Sequence, residues 1–524
     1  MSLNPNWIAV PVALPLVAAA LGLAFSRWGY RETSRIQRWI TLVTVVANLA
    51  VALLLLNATI GSDQRIVYQM GLWLAPYGIT VVADGLSSIM LTLTAILAVA
   101  IVPYAIGTLD QRERMNFYPL LLFLIMGVNG AFLAGDLFNL YVFFEVLLMA
   151  SFVLLTLGGQ PSQINGGIRY VVLNLLASIV FLAAAGIAYG TLGTLNMAHL
   201  AQRIDSLPSG MGTLLAGLLL IAYSSKAGLF PLFFWLPASY HTPHPAVTAF
   251  FGGLLTKVGI YTLFRIFPLI FPTYLVAWQP LILAIAGLTM LTGVFGAMTV
   301  GTIRRVLSFH VISQVGYMVM GLGLAATGDP VLASFAMAAG ILYLVHHMIV
   351  KTALLMAGGA AELEMGSGIL ASNQLNGLVG RRPLLALIFF FAAFSLAGIP
   401  PSSGFISKLG LLENALAAEQ WLIAAVSLVV SLLTLMSMVR LWQNAFTGRA
   451  TQPIYPTAPL TRPSNRWLIL MPIGMLVILS LGIGLFSAPV FSWSSVAAEQ
   501  VLDRAGYIEA VAPTDEIVSL EHHE

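Results

Sequence analysis

Fourteen apolar segments, each of about 20 to 30 residues, follow one another along this chain and leave little sequence between them. About 20 apolar residues are needed for an α-helix to cross the hydrocarbon core of a bilayer. Because lipid offers no partners to backbone N–H and C=O groups, such segments cross it as helices. The segments lie near residues 7–26, 38–58, 84–109, 117–134, 135–157, 166–190, 209–236, 245–271, 278–300, 302–327, 330–361, 383–411, 420–446 and 467–490.

The composition agrees with this pattern and excludes a large soluble domain. Of the 524 residues, 59% are hydrophobic and only 8% are charged, and the mean hydropathy is +0.93. Soluble domains carry about 25% charged residues. The net charge of +3 is spread between apolar segments and therefore does not indicate nucleic-acid binding. The sequence predicts an all-α polytopic membrane protein with about 14 transmembrane helices.

Several shorter features also predict structure. Residues 65–84 alternate in polarity and predict a short surface hairpin, and residues 195–206 predict a short amphipathic segment. The N-terminus, MSLNPNW, lacks the basic region of a signal peptide, so the first apolar segment is expected to stay in the protein. The tail after Phe491 has a weak helical pattern and then becomes acidic, with disorder expected there.

Lysine and arginine are segregated along the chain. All four lysines (Lys226, Lys257, Lys351 and Lys408) fall in apolar segments, whereas nearly all arginines lie near segment ends or in loops. The pKa of a lysine shifts readily on burial, but an arginine stays charged. The pattern therefore predicts titratable groups inside the membrane and topology signals outside it. An arginine-rich genome that uses little lysine is the alternative explanation.

The loop arginines predict an orientation. With 14 spans, most of them fall on one side of the membrane, and cytoplasmic loops carry the excess of basic residues. Both termini are therefore expected on the non-cytoplasmic side of the cell (inner) membrane. The arginine-rich side holds Arg27, Arg31, Arg35, Arg38, Arg112, Arg114, Arg169, Arg304, Arg305, Arg381, Arg382, Arg449, Arg462 and Arg466, and the other side holds Arg65, Arg203, Arg265 and Arg504.

Two of the spans are interrupted in a related way. The seventh contains KAGLFP at 226–231, and the twelfth contains LAGIPPSSGFISK at 396–408. Proline removes a backbone donor and clashes with the preceding turn, so both spans are predicted to be broken helices. Because the breaks are five spans apart, they predict two five-helix repeats of inverted topology, helices 4–8 and 9–13. The expected divisions are 1–116, 117–271, 278–446 and 447–524, with the last helix and the tail in the final one.

A few ionisable residues lie deep in apolar sequence. Glu145 has about ten apolar residues on each side, and a lone carboxylate there needs a cation or a proton. We expect it to pair with a titrating amine, Lys226; a salt bridge that only fixes helix packing is the alternative. Lys226, Lys257 and Lys408 are interpreted as amines that take up and release protons, against the alternative of side chains that reach towards the membrane surface.

Histidines add to this set. His347 and Lys351 are four residues apart in LYLVHHMIVKTALLMAGG and share a helix face, which predicts a proton relay. A polar pair that bridges helices is the alternative, and haem ligation by His346 or His347 would need a facing histidine such as His310. His241 and His244, between spans 7 and 8, either line a proton entrance or are simply solvated. Asp84, Asp136 and His310 lie near segment ends and are expected to be interfacial.

No cofactor motif is recognisable in the sequence. The chain has no cysteine, which excludes disulfides and cysteine-ligated iron–sulfur clusters. It also has no P-loop and no Cys/His spacing typical of a metal site. Glycine-rich pieces such as GVNGAFLAG are better explained by close helix packing than by a cofactor loop.

Five stretches together are characteristic: FFEVLLMASFVLL, SSKAGLFPLFFWLPASYHTPHPAVTAFFGGLLTKVGIY, SFHVISQVGYM, HHMIVKTALLMAGG and SLAGIPPSSGFISKLGLL. They resemble the antiporter-like subunits shared by respiratory complex I and Mrp-type multisubunit cation/proton antiporters, over nearly all 14 spans. The resemblance implies a 14-helix fold with two inverted five-helix repeats and a line of charged residues across the membrane centre. It also implies that the subunit itself has no redox centre and no cofactor.

The resemblance also implies roles for single residues. Glu145 matches the fifth-helix glutamate, and Lys226 matches the seventh-helix lysine. Lys257 matches the central residue of the eighth helix. His347 with Lys351 match the pair on the eleventh helix, and Lys408 matches the charge on the twelfth. One complex I subunit has glutamate at that last position, so Lys408 argues against it.

Two functions follow from the resemblance. In the first, the chain is the proton-translocating subunit of a multisubunit cation/proton antiporter that exchanges Na⁺ or K⁺ for H⁺, with partner membrane subunits of the Mrp A, B, C, E, F and G types. In the second, it is a proton-pumping, non-redox subunit of a complex I-like NADH–quinone oxidoreductase or membrane-bound hydrogenase. A structural scaffold is the third alternative, which the buried charges disfavour. Neighbouring genes would discriminate between the first two.

Overall fold

The computed structural model describes residues 4–25, 30–109, 116–364, 377–448 and 459–512. The long helices are α1 (Val10–Ala24), α2 (Tyr30–Gly61), α3 (Gly85–Thr108), α4 (Phe117–Leu133), α5 (Leu137–Thr156), α6 (Pro161–Leu192), α7 (Ser209–Ala227), α8 (Pro245–Ile270), α9 (Gln279–Thr299), α10 (Ile303–Ala325), α11 (Pro330–Glu364), α12a (Pro383–Ala397), α12b (Ser403–Ala417), α13 (Trp421–Phe446), α14 (Pro463–Leu485) and α15 (Ser487–Leu502). Short helices cover Met197–Arg203, Trp235–Ser239, Pro272–Ala277, Leu378–Arg381 and Arg504–Val511.

The helices confirm the predicted fold class. Within the described ranges, twelve helices are long and apolar enough to cross a membrane, and Phe117–Leu133 and Pro383–Ala397 are shorter apolar helices at the fourth and twelfth predicted segments. Each of the 14 apolar segments therefore coincides with a helix. The mean hydropathy of the long helices ranges from 1.2 to 2.5 over their most apolar windows, which is what burial in lipid or in protein requires.

The centre of the molecule consists of three helices surrounded by the others. In the most apolar stretch of α8 every residue is buried, and the corresponding buried shares are 94% for α10 and 89% for α11. By contrast, only 39% of the corresponding stretch of α6 is buried, and its exposed side chains are apolar, such as Ile168, Val172 and Ile179. Apart from the exposed Arg305 at the start of α10, the charged residues and histidines of α8, α10 and α11 are therefore buried in protein.

Both predicted helix breaks are present and end in the same way. Helix α7 ends at Ala227 and α12a at Ala397, and Gly228 and Gly398 follow with φ of 75° and 89°. Glycine reaches this left-handed conformation without the steric penalty of a side chain. In both places the amide after the glycine bonds back to the helix, Leu229 to Ser224 O at 2.9 Å and Ile399 to Phe394 O at 3.1 Å, as in a Schellman cap.

Two close helix contacts depend on glycine pairs. A Cβ at Gly127 would lie 2.9 Å from the amide nitrogen of Leu147, and one at Gly130 would lie 2.2 Å from the Phe143 ring, so α4 and α5 touch there. The contact between α9 and α10 is built alike. A Cβ at Gly293 would lie 2.3 Å from the amide nitrogen of Ser313, and one at Gly296 would lie 2.3 Å from the Phe309 ring. Small residues of this kind let helices approach closely within a bilayer.

A two-stranded hairpin, a short helix and α15 lie outside the main set of long helices. Strands β1 (Ile66–Gln69) and β2 (Thr80–Ala83) pair antiparallel, which confirms the predicted hairpin. Met197–Arg203 confirms the predicted amphipathic segment. Helix α15 is fastened to the start of α3 through Gln500, whose Oε1 accepts a bond from the Gly85 amide at 2.7 Å and whose Nε2 donates to Asp63 Oδ1 at 2.6 Å. The acidic tail lies outside the described residues.

Buried ion pairs hold both ends of the central helices. Arg265 at the end of α8 bonds to Asp84 at 2.6 Å, and Arg304 at the start of α10 bonds to Glu362 at 2.6 Å. Asp84 was expected to be interfacial, but its carboxylate is fully buried in the protein because it caps α3 and pairs with Arg265. His310 is likewise fully buried within α10, where its Nε2 lies 2.9 Å from Ser437 Oγ.

Candidate functional site

Lys226 lies in the last turn of α7, directly before the helix break. Its Nζ donates a hydrogen bond of 2.8 Å to Ser178 Oγ on α6 and lies 5.0 Å from the centre of the Phe144 ring on α5. The side chain is 6% exposed. The partners of this amine in the described structure are therefore a hydroxyl group and an aromatic face, with no carboxylate in hydrogen-bonding contact.

Glu145 is not in an ion pair with Lys226 in this structure. It follows Phe144 on α5, and successive helical residues point about 100° apart. Phe144 packs inward against Phe181 and lies beneath the lysine, whereas Glu145 lines a groove of about 420 Å³ between α4 and α5 with Leu120 and Phe123. Its Oε1 is buried without a hydrogen-bond partner.

Lys257 lies at a local irregularity of α8. Residues Phe251–Leu255 form a π-turn, and the lysine Nζ donates to Gly252 O at 2.5 Å. A π-turn widens the helix and leaves a carbonyl without its usual partner, which is why such turns are frequent at functional sites. A Cβ at the neighbouring Gly253 would lie 2.1 Å from the Thr352 hydroxyl, so α8 and α11 touch here. The irregularity thus brings a fully buried amine close to α11.

His347 and Lys351 lie on α11 beside Lys257. Lys351 donates from Nζ to Leu307 O on α10 at 3.2 Å. Both ring nitrogens of His347 are buried without a hydrogen-bond partner. Lys351 follows one turn later on the same face of α11, and α11 touches α8 at Thr352 and Gly253. The predicted relay pair is therefore brought together with the lysine from α8. Among the described residues, His346 faces a hydroxyl group rather than a second histidine, since its Nδ1 lies 2.7 Å from Ser403 Oγ.

Lys408 lies on α12b, just after the second break. Its Nζ donates to Ala397 O at the end of α12a at 3.0 Å and lies 5.1 Å from the centre of the Tyr317 ring. A cation is favoured there, since the C-terminal carbonyls of a helix carry partial negative charge. Tyr317 stacks on Tyr343 at 5.1 Å, and Tyr343 contacts the His346 ring edge to face. Aromatic rings therefore connect Lys408 to α11.

A chain of hydroxyl groups beside His346 was not predicted from the sequence. Ser403 Oγ on α12b lies 2.7 Å from His346 Nδ1 and 2.8 Å from Ser480 Oγ on α14, and Ser480 lies 2.8 Å from Ser395 Oγ on α12a. All three serines are about 99% buried. Serines carry no distinctive spacing signal in apolar sequence, so only the fold could reveal them.

The two loop histidines occupy different environments. His244 is buried and accepts the Ala246 amide as a cap of α8, so the expectation that it is solvated is wrong. His241 is half-buried and lines a polar cleft with Arg169 and Arg305. Burial and the positive charges of Arg304 and Arg305 lower the pKa of His241 to about 4. Whether His241 serves a proton entrance stays a prediction.

The chain is similar to known proteins over most of its length. Residues 134–434 match the family model described as NADH:quinone oxidoreductase/Mrp antiporter, TM. The D subunit of the Na(+)/H(+) antiporter of Alkalihalophilus pseudofirmus is 42% identical over 97% of this chain and 99% of its own length. The protein of the same name from Bacillus subtilis is 35% identical over 97% of this chain and 99% of its own.

Solved structures agree in fold. A chain of the Mrp complex from Dietzia sp. DQ12-45-1b superposes with a TM-score of 0.88 and 33% identity, covering 97% of this chain and 99% of its own. A chain of respiratory complex I from Thermus thermophilus shares the fold, with a TM-score of 0.79 and 22% identity over 94% of this chain and 99% of its own. The sequences of the fifth and eighth helices predict the D type among the Mrp proteins, and the names of the relatives confirm that prediction. The chain belongs to the NADH:quinone oxidoreductase/Mrp antiporter family and, within it, to the Na⁺/H⁺ antiporter D subunits.

Proposed function

We propose that this chain is the proton-translocating subunit of a multisubunit cation/proton antiporter that exchanges Na⁺ or K⁺ for H⁺. Protons would move along a row of buried and half-buried groups on α5, α7, α8, α11 and α12b. The groups are Glu145, Lys226, Lys257, His347, Lys351 and Lys408.

The observation that carries the proposal is a contrast between lysine and arginine. All four lysines donate to neutral oxygens, which are the Ser178 hydroxyl and the backbone carbonyls of Gly252, Leu307 and Ala397. By contrast, Arg265, Arg304 and Arg382 are each bonded to a carboxylate at 2.6–2.7 Å. A buried permanent charge needs such a counter-ion. An amine held by neutral oxygens can instead exist with or without its proton, which is what a carrier requires.

Glu145 and Lys226 are proposed to form the switch at one end of the row. With Lys226 on Ser178 and Glu145 towards α4, the structure corresponds to a separated arrangement of the two charges. An opposite charge close to an amine favours its protonated form, and its withdrawal favours release. Movement of the lysine from Ser178 towards Glu145 would therefore load a proton, and the return would release it.

Lys257, His347 and Lys351 are proposed to pass the proton across the centre, and Lys408 to hand it on at the second break. His347 fits the relay role because its ring nitrogens have no protein partners among the described residues and two lysines lie close to it. Like charges close together cannot all be protonated cheaply, so a proton that arrives on one lysine favours release from the next.

The partners and the exchanged ions are proposed from the relatives. Those relatives are named as Na(+)/H(+) antiporter subunits, and a solved structure is titled as an Mrp complex. We propose that the chain works with membrane subunits of the Mrp A, B, C, E, F and G types and carries out transport without a chemical step of its own. The respiratory complexes share the fold at 22–23% identity, which gives no support to a redox-driven pump over antiport.

Two five-helix repeats, 117–271 and 278–446, are proposed as the architectural basis. The identical caps after Ala227 and Ala397 support it, as does the correspondence between the α4–α5 and α9–α10 contacts. In sequence, GVNGAFLAG at 127–135 and GVFGAMTVG at 293–301 stand at a constant offset that also relates Phe143 to Phe309. The same packing device therefore occurs once in each proposed repeat, with α1–α3 before them and α14 after them.

The experiment that tests the proposal is the exchange of Lys226 for arginine. Arginine keeps the positive charge but does not release its proton in the working range. We expect Lys226→Arg and Lys226→Ala to abolish cation-dependent proton flux in vesicles that contain the whole complex. Glu145→Ala is expected to abolish flux or to lower the pH needed for activity, because the protonated form of Lys226 loses the carboxylate that stabilises it.

Subunit levels and a matched exchange serve as controls. Arg440 is exposed, bonds Met298 O at 2.9 Å and is not one of the six groups of the row, so Arg440→Lys should keep wild-type flux. All variants should assemble with their companion subunits at normal levels. Normal flux in Lys226→Arg would show that the residue is a structural counter-ion and would end the proton-carrier assignment.

A further inference from the structure

A polar cleft opens between the start of α6, the loop after α7 and the start of α10. Its volume is about 380 Å³, and its walls include Asn165, Arg169, Phe234, His241 and Arg305. The lining residues include two arginines and no aspartate or glutamate. The cleft is therefore a positively charged pocket.

The two guanidinium groups of the cleft have no acidic partner in the described structure. Arg169 and Arg305 are exposed, and neither takes part in an ion pair among the described residues. The nearby Glu362 does not neutralise them, since it is bonded to Arg304 at 2.6 Å. This is unlike Arg265 and Arg304, whose charges are compensated inside the protein. An anion from outside the protein would supply the negative charge that these two arginines lack.

The other polar groups of the cleft suit the same ligand. The amide of Asn165 and the hydroxyl of Ser162 lie in the first turns of α6, where backbone N–H groups also favour negative charge. Nδ1 of His241 is buried without a hydrogen-bond partner. A bound anion would favour protonation of this nitrogen and so gain another donor.

The surroundings of the cleft show how an anion would be presented. Phe234 stands at the rim with 64% of its surface exposed, and the outer face of α6 continues from Arg169 along Ile168 and Val172, each more than half exposed. An apolar strip that leads to a cationic pocket at a helix end matches a molecule with a charged head and apolar tails. Basic pockets between transmembrane helices bind the head groups of anionic lipids on this principle.

We propose that this cleft is a binding site for a phosphate group, carried by an anionic phospholipid whose acyl chains lie on the outer face of α6. Arg169 and Arg305 clamp the phosphate, and Asn165 and Ser162 complete its hydrogen bonds. The site is distinct from the row of lysines and histidines, so it does not depend on the proposed proton path.

The test uses the whole complex in nanodiscs with defined mixtures of phosphatidylglycerol and phosphatidylcholine. Native mass spectrometry would count the lipids retained by the wild type and by Arg169→Gln/Arg305→Gln. We expect the wild type to retain phosphatidylglycerol in preference to phosphatidylcholine. The affinity of the double variant for phosphatidylglycerol should fall roughly 25-fold, about fivefold for each guanidinium removed. Arg35 is exposed on α2 and does not line the cleft, so Arg35→Gln should behave as the wild type.

A second arm separates the two sources of phosphate. Equilibrium dialysis of the complex in pure phosphatidylcholine would measure binding of inorganic phosphate. Displacement of phosphatidylglycerol by millimolar phosphate would keep the phosphate site but reassign it to a soluble anion. Asn165→Asp places a carboxylate in the cleft at an exposed position, and it should weaken binding even if the double variant assembles poorly. Unchanged lipid retention and phosphate binding in both variants would overturn the proposal.

Discussion

His346 and His347 are neighbours in sequence, but their rings lie in different surroundings. Consecutive residues of a helix point about 100° apart, so His347 faces the lysines of α8 and α11, while His346 faces α12b. His346 is oriented by Ser403, which is in turn bonded to Ser480 of α14. A hydroxyl group can both donate and accept, so the serine chain can serve either ring tautomer of His346.

This makes Ser480 a positioning residue that can be tested. Ser480→Ala removes the middle hydroxyl of the chain. Because His346 packs on Tyr343, which stacks on the Tyr317 ring next to Lys408, we expect proton flux to fall about fivefold, since one hydrogen bond contributes about 1 kcal/mol. The pH profile of flux should shift as well, because the tautomer of His346 loses its support. Ser480→Thr keeps the hydroxyl and should restore the profile. Ser495→Ala on α15, where the hydroxyl bonds only Phe491 O at 3.0 Å, is the matched control; a wild-type profile in Ser480→Ala would refute the role.

At the scale of elements, the close spacing of the helices around the proposed proton row depends on small residues. Hydrophobic burial does not drive two helices together in lipid, so close backbone contact and packing must do so. The paired glycines of α4 and α9 provide that contact once in each proposed repeat. They bring α4 close to α5, which carries Glu145, and α9 close to α10, which carries His310.

Substitution of one such glycine should separate the helices. The Cβ of Gly293→Ala would lie 2.3 Å from the Ser313 backbone, whereas Gly186→Ala on α6 meets no atom within 4 Å. Overpacking costs about 1–3 kcal/mol, so thermal unfolding of the Gly293→Ala complex in mild detergent should shift to lower temperature. Gly186→Ala should leave it unchanged or raise it slightly. Equal unfolding temperatures for the two variants would show that the α9–α10 contact is not tight.

At the scale of the whole molecule, the arginines still indicate one orientation. Arg27, Arg112, Arg114 and Arg449 lie outside the described residues, so the proposal that both termini face away from the cytoplasm depends on the sequence pattern. Arg265 and Arg304 are poorer topology signals than their positions suggest, because each is bonded to a buried carboxylate. The remaining loop arginines keep the same bias.

Reporter fusions provide the measurement for this orientation. A reporter fused after Gly448, between α13 and α14, should give a cytoplasmic signal, and one fused after Glu524 should give a non-cytoplasmic signal. The physical reason is that an even number of spans returns the chain to its starting side, while a loop after thirteen spans lies opposite. Signals from the same side for both fusions would contradict the orientation and the count of spans.

Local properties of the sequence were sufficient to predict much of the structure of this protein. Apolar length alone predicts the 14 helices, because lipid leaves the backbone no other partner, and the prolines and glycines at 228–231 and 398–401 predict both breaks. The positions of Glu145, Lys226, Lys257, His347, Lys351 and Lys408 were also readable, since ionisable groups in apolar sequence are costly. Only the tertiary structure decided what these groups touch. Most of the contacts of these groups come from segments distant in sequence, and no periodicity encodes them. Examples are Ser178, the serine chain to α14 and the carboxylate partners of Arg265 and Arg304. The same reason explains why Glu145 and Lys226 were expected to pair directly, whereas the structure places Glu145 in the groove beside α4 and Lys226 on Ser178.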